Sequence, residues 1–273
     1  NDFTALKKAL KEIDVVYHLA GYSGLGSGVD EITKLTLLNE KLTQRLLEHG
    51  SNAELKHFIY ISSISACEKS TEEYVNEENG LPQSTYGLSK KKTEEIVMSF
   101  SSQNLPITIL RPTALFGKNH KGSIYELTKR IKDKRFFIIG TGDNFTNFYY
   151  IEEFIDVLLL TYLNKNTFGK IYIASSDPLT LNCLVKSVCD TLQIPFPLYK
   201  LPLFIGSLAA YFFDFLSLLT SKELPFSRRR MEAMTGSKVY SNKKLRMDGL
   251  TKKSATEKGL KETVEWFLDK EML

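Results

Sequence analysis

Four short, nearly unbroken apolar runs constrain this chain more than any other feature. They are DVVYHLAG at 14–21, HFIYISS at 57–63, ITILRP at 107–112 and KIYIASS at 170–176. A strand with one face in water alternates apolar and polar side chains; a strand covered on both faces loses that alternation, as in a parallel sheet. The intervening segments carry helical spacing instead. Asp2 reads as an N-cap ahead of Leu6, Ala9, Leu10 and Ile13, and further helices are predicted at about 31–49, 84–102 and 151–163. Strand alternating with helix predicts an α/β chain built on a doubly wound parallel sheet.

After Gly117 the rhythm loosens. Residues 118–148 hold one helix and the glycine turn IGTGDN, and from Pro178 the chain is mainly helical. The expected division is therefore a sheet domain from 1–117 and about 149–176, with a smaller, mostly helical domain from 118–148 and 177–273.

Composition excludes several classes. A chain of 273 residues with 42% hydrophobic and 25% charged residues is neither fibrous nor disordered. A net charge of +4 from 36 basic and 32 acidic residues makes no case for nucleic acid. Cys67, Cys183 and Cys189 show no metal spacing, and three sparse cysteines suit a reducing, cytoplasmic setting. LPLFIGSLAAYFFDFLSLL at 201–219 is strongly apolar, but Pro202, Gly206 and Asp214 interrupt it. A spanning helix needs roughly 20 predominantly apolar residues, and a central carboxylate is costly there. The segment reads as a buried or cleft-lining helix, with peripheral membrane contact as the alternative.

The chemistry-bearing residues are Ser63, Tyr86 and Lys90. Tyr86 and Lys90 lie one helical turn apart and share a face. A tyrosine hydroxyl titrates near pH ~10, too high for a base at neutrality. A lysine cation nearby favours the phenolate, which could take a proton from an alcohol while the alcohol carbon loses hydride to a cofactor. Ser63 ends a strand, where its hydroxyl can hold the substrate oxygen. A bare YxxxK is common by chance; here it opens a helix placed between the Ser62-Ser63 strand and the strand ending Arg111-Pro112.

With these residues in place, the chain resembles the extended short-chain dehydrogenase/reductases, the NAD-dependent epimerase/dehydratase family. VVYHLAG resembles the fourth strand of that family, whose small residues, here Ala20 and Gly21, pass beside the dinucleotide. Asn39 in LLNEKLTQRLL matches its helix asparagine, YISSIS its serine strand and YGLSK its tyrosine–lysine pair. LRPTALFG at 110–117, GTGDNFTNFYYIEEFIDVLLL and GLKETVEWF at 259–267 match later segments. The resemblance implies a Rossmann-type sheet with the active site in a cleft between the two domains. It implies catalytic Ser63, Tyr86 and Lys90, and a cofactor held by Ala20, Gly21, Asn39, Ser62, Tyr86, Lys90 and Pro112. Substrate contacts would come from Ser63, Thr113, Thr146 and Asn147. The cofactor would be NAD or NADP, with NAD favoured, and no metal is expected. The expected partner is a nucleotide-activated sugar, epimerised through a keto intermediate. A homodimer would form through the helices at about 31–49 and 84–102.

Two departures qualify the resemblance. The Gly-rich phosphate loop after the first strand is absent, as if about 50–60 residues of an ordinary member preceded Asp2. GYSGLGSG at 21–28 follows a later strand and is not that loop. Nucleotide-sugar members also often carry an arginine where Thr146 or Asn147 falls, and a neutral side chain cannot give its bidentate phosphate bond. One of Arg228, Arg229 and Arg230 could substitute, although that triplet reads first as a solvated helix end. The lost arginine and the apolar 201–226 stretch also resemble hydroxysteroid-dehydrogenase-like members, which act on hydrophobic alcohols or ketones. A non-catalytic dinucleotide-sensing or scaffold protein is the third reading, should the phosphate cradle be absent from the natural product.

Other residues take bland readings. His18 is expected to be packed; His49, His57 and His120 are too scattered for a metal. One of Glu152 and Glu153 complements a helix start. Cys183 and Cys189 are expected to be core or semi-buried, and Trp266 to anchor the last helix.

Overall fold

The computed structural model describes residues 3–23, 29–69, 74–101, 105–196, 200–220, 231, 235–237, 239–252 and 254–273. The N-cap expected at Asp2, most of the GYSGLGSG segment and the Arg228–Arg230 triplet lie outside the described residues.

The four apolar runs form strands β1 (Val15–His18), β2 (His57–Ile61), β3 (Ile107–Pro112) and β4 (Lys170–Ala174). They make one sheet in that order, every neighbouring pair parallel. In the register Tyr17 lies opposite Ile59, Ile59 opposite Thr108, and Leu110 opposite Tyr172. Every residue of β2 and β3 is buried, as required of strands covered on both faces. Phe58, Tyr60, Ile107 and Ile109 pack with Leu47 and Val97 from the helices Leu42–Asn52 and Thr85–Ser101.

The helix expected at about 31–49 is not uniform. It runs as an α-helix over Val29–Leu35, widens to a π-helix over Thr36–Lys41, and resumes as α over Leu42–Asn52. No glycine or proline marks the change. Such π segments are rare and gather at functional sites, and this one carries Asn39.

The chain divides into two compact units. The first comprises Asn1–Leu115, Ile151–Ser176 and Tyr240–Ser254; the second comprises Phe116–Tyr150, Asp177–Val239 and Ala255–Leu273. No shift in composition marks the return of Tyr240–Ser254 to the first unit. Its anchors are specific: Ser241 N donates to the Val75 carbonyl (2.8 Å), Asn242 Nδ2 to the Ser175 carbonyl (3.0 Å), and Tyr172 OH to Asp248 (2.6 Å).

The second unit is built on the helices Ser123–Lys132, Leu181–Leu192, Leu203–Thr220 and Thr256–Asp269, with short strand pairs between them. In the glycine turn, Gly142 has φ +78°, and a Cβ there would meet Asn182 Oδ1 at 2.3 Å. Three expectations are corrected here. Cys183 is exposed, while Cys189 on the inner face of the same helix is buried. Trp266 is half-buried; the anchor of the closing helix is Phe267, fully buried and edge-on to Tyr125. The Leu203–Thr220 helix is not buried along its apolar side, for Phe204 is 72% and Leu208 70% exposed. No described helix is long and apolar enough to cross a membrane.

Candidate active site

The carboxyl ends of parallel strands are where open α/β sheets take ligands, because the chain leaves the sheet there and exposes loop atoms. Ala20 and Gly21 follow β1, Ser62 and Ser63 follow β2, and Thr113 follows β3. The parallel register therefore brings these small and hydroxylated residues to one edge.

Tyr86 and Lys90 reach that edge from the first turns of Thr85–Ser101. Helix and serine loop meet very closely at Gly87. A Cβ there would lie 2.2 Å from the Ser65 carbonyl oxygen and 3.2 Å from Pro82 Cβ, so only glycine permits this approach. Ser63 caps the 3₁₀ turn Ile64–Cys67, its Oγ accepting from Ser65 N at 3.2 Å. Burial pushes the Tyr86 hydroxyl above its ordinary value, and the Ser63 side chain pulls it back in part.

Lys90 is not the direct partner of Tyr86 that the one-turn spacing suggests. Its Nζ donates to the Ile61 carbonyl (3.1 Å) and the Tyr60 hydroxyl (3.3 Å), and lies 5.0 Å from the Tyr60 ring centre. The reason is local: β2 runs beneath the helix, so a lysine one turn along meets strand atoms first. Desolvation pushes the ammonium down to about 8, while Glu94 acts weakly in the other direction. The Tyr60 hydroxyl is itself pushed up by burial, so it stays neutral.

Asn39 completes the cluster. Its Oδ1 accepts from Tyr22 N (2.7 Å), and its Nδ2 donates to the Tyr22 carbonyl (2.9 Å) and Ser89 Oγ (3.3 Å). The π-helical turn thus clamps the strand β1 exit through both backbone polar groups of one residue, Tyr22. Gly21 lies inside this clamp: a Cβ there would stand 3.4 Å from both Asn39 Oδ1 and Lys90 Nζ.

The arrangement fits a dinucleotide in two respects. An ammonium has three N–H donors, and two of those on Lys90 meet protein acceptors. Buried hydroxyls are normally paired, yet Ser62 Oγ and Thr113 Oγ1, both at the sheet edge, have no protein partner. Ala20 and Gly21 are exposed beside them. Pro112 is buried as the last residue of β3, and its neighbour Thr113 is pinned by its N–H to the Ala174 carbonyl at 3.0 Å.

Ser62, Ser63, Tyr86, Lys90, Asn39, Ala20, Gly21, Pro112 and Thr113 all belong to the first unit, whereas Thr146 and Asn147 belong to the second. The Thr146 hydroxyl donates to the Leu179 carbonyl at 3.0 Å, within an antiparallel strand pair. His18 is packed, its Nε2 2.8 Å from Thr43 Oγ1 and its ring beside Phe58 and Tyr60. Burial, with a smaller effect of Lys90, pushes His18 down to about 4. Among the described residues no group of His, Cys, Asp and Glu could hold a metal ion.

Two features escaped the sequence. Tyr60 was read as a strand residue, but its hydroxyl receives Lys90. Arg111 is fully buried and held by Glu94, with Nε to Oε1 at 2.8 Å and Nη2 to Oε2 at 2.7 Å, while Nη1 donates to the Glu77 carbonyl (2.9 Å). A signal for that pair existed: an arginine inside a doubly covered strand demands a buried acid.

The sequence profile of the family described as "NAD dependent epimerase/dehydratase" matches residues 1–174. An N-acetyl-alpha-D-glucosaminyl-diphospho-ditrans,octacis-undecaprenol 4-epimerase of Escherichia coli O157:H7 is 26% identical, covering 97% of this chain and 81% of that protein. A dTDP-D-glucose 4,6-dehydratase of Dictyostelium discoideum is 30% identical over 61% of this chain and 42% of its own length. Among solved structures, the UDP-glucuronic acid 4-epimerase of Bacillus cereus in complex with NAD superposes with a TM-score of 0.75. It is 20% identical, covering 98% of this chain and 79% of that one, which establishes the Rossmann-type fold.

Proposed function

The chain belongs to the NAD-dependent epimerase/dehydratase family, and we propose that within it the chain epimerises a nucleotide-activated sugar through a keto intermediate. The observation that carries this reading is the placement of Tyr86 at the head of its helix beside the serine loop, with buried Lys90 one turn on and held by the Ile61 carbonyl. Of the named relatives, the dTDP-D-glucose 4,6-dehydratase supports the nucleotide-activated class, while the Escherichia coli epimerase acts on a sugar joined through a diphosphate to undecaprenol.

In this reading Tyr86 is the base. Ser63 holds the sugar hydroxyl beside the phenol, and its side chain offsets part of the burial that opposes the phenolate. The phenolate takes the hydroxyl proton as the carbon–hydrogen bond breaks, and returns it to the carbonyl oxygen in the reverse step. When bound, NAD would supply the acceptor for the hydrogen and its electron pair and, once reduced, their donor, so no net oxidation would result. Lys90 places a positive charge at the edge, its orientation fixed by Ile61 and Tyr60. Asn39 fixes Tyr22 and so the β1 exit along which Ala20 and Gly21 pass the cofactor. Ser62 and Thr113 offer it their unpaired hydroxyls, and Pro112 borders it.

The homodimer expected through the helices at Val29–Asn52 and Thr85–Ser101 belongs to the same proposal. Ile32, Leu37, Leu38, Leu42 and Leu88 are exposed on those elements, an apolar set that a second copy would cover.

The test is incubation of the full-length protein with NAD and UDP-glucose or UDP-N-acetylglucosamine, following the anomeric proton by NMR. An epimer without accumulating NADH is expected. Unchanged sugars with cofactor bound would refute the substrate class, and an undiminished rate in Tyr86→Phe would refute the role of Tyr86.

A further inference from the structure

The helix Leu203–Thr220 has its faces the wrong way round for a water-soluble protein. Gly206 and Ala210, one turn apart, face inward; a Cβ on Gly206 would press to 2.8 Å of Ile139 Cγ2. The bulky side chains point out. Phe204, Leu208 and Phe212, at i, i+4 and i+8, form a stripe flanked by Leu203 and Ile205, and all five are exposed. The stripe carries no charge, and Asp214 is the single charged residue of the helix.

We propose that this face seats the protein on an anionic lipid bilayer, the helix lying in the plane of the interface. Three observations select that occupant. Among the described residues no helix is long and apolar enough to cross a membrane, and Asp214 interrupts this one, so the proposal buries its outer face from one side. Its outer residues are large aliphatic and aromatic groups, the kind that insert at the boundary between headgroups and acyl chains. The ten residues that follow, 221–230, contain Lys222, Arg228, Arg229 and Arg230 against Glu223, a local charge of 4 − 1 = +3. That charge complements anionic headgroups.

The test is co-sedimentation of the full-length protein with vesicles of neutral phospholipid alone or mixed with phosphatidylglycerol. It needs no substrate, so its outcome is independent of the catalytic reading. The wild type is expected to pellet with anionic vesicles and less with neutral ones. The variant Phe204→Ser/Leu208→Ser/Phe212→Ser should lose at least roughly tenfold in partitioning with its melting temperature retained. Arg228→Gln/Arg229→Gln/Arg230→Gln, which changes no residue of Leu203–Thr220, should abolish the preference for anionic vesicles and its salt sensitivity. A wild type that stays in the supernatant overturns the proposal, as does a serine variant that binds undiminished. A serine variant whose mass in light scattering halves, with no vesicle binding by either protein, overturns it in favour of a contact between copies.

Discussion

The helix Thr85–Ser101 meets two buried cations, its own Lys90 and Arg111 of β3, and they are treated in opposite ways. At its start Lys90, 4% exposed, meets only neutral oxygens, those of Ile61 and Tyr60. One turn later Glu94 grips Arg111, which is 0% exposed, through two short charge-assisted bonds. Both cations lose water. The lysine, lacking a contacting carboxylate, is pushed down to about 8; the arginine, though also opposed by burial, is pushed up by Glu94. A saturated ion pair fixes structure, while a cation given only dipoles keeps its charge available to whatever enters beside it.

Separating the two ends sharpens this contrast. Lys90→Met should lower turnover by roughly 10²–10⁴-fold, a range typical of lost acid–base assistance. Its melting temperature should hold or rise, because a desolvated charge is removed. A folded Lys90→Met enzyme with full turnover would dissolve the distinction.

Arg111→Met should do the reverse. Leaving buried Glu94 with only the distant Lys91, 4.0 Å away, costs about 3–5 kcal/mol, read as a fall in the urea midpoint. The double variant Arg111→Met/Glu94→Leu should recover part of that loss, and a double loss equal to the sum of the singles would show that the pair is not coupled.

A smaller effect is expected from Ser63→Ala. Its side chain is what offsets the burial of the Tyr86 phenol, so the limb on which the rate rises with pH should move to higher pH. Lys90→Met should leave the position of that limb largely unchanged, since Lys90 does not contact the phenol.

Stability should also carry two pH signatures. Lys90 sits at about 8 against an ordinary 10.5, so between those values the unfolded chain holds a proton the folded chain has lost. Stability then rises with pH across that window, and Lys90→Met should flatten the rise. His18 and His57, each pushed to about 4 mainly by burial, act at the other end: stability present above 6.5 is lost as pH falls toward 4. Urea titrations at successive pH values read both.

Much of the fold was legible because burial on two faces leaves an unmistakable residue pattern. ITILRP stands in the structure as Ile107–Pro112, and HFIYI and KIYIA as the cores of their runs. Ser63, Tyr86 and Lys90 were legible as residues, though not as a geometry. Spacing put Lys90 on the face of Tyr86 but could not show that β2 intervenes with Ile61 and Tyr60. Nor could it show the π-helical turn at Asn39, which no residue type demands. Trp266 drew attention by its size, while the anchoring place went to Phe267, because helix rotation decides which of two neighbours faces in.

The sequence by itself determined the parallel sheet, the order of its elements and the identities of the groups at its edge, since those depend on local periodicity and on which side chains can do chemistry. Tertiary structure alone decided which of those groups touch. It gave Tyr86 its serine, Lys90 its neutral cage and Arg111 its carboxylate, and it turned the apolar stripe of Leu203–Thr220 outward. Contacts between residues distant in the chain depend on strand register and helix rotation, and those are fixed only when the whole core closes.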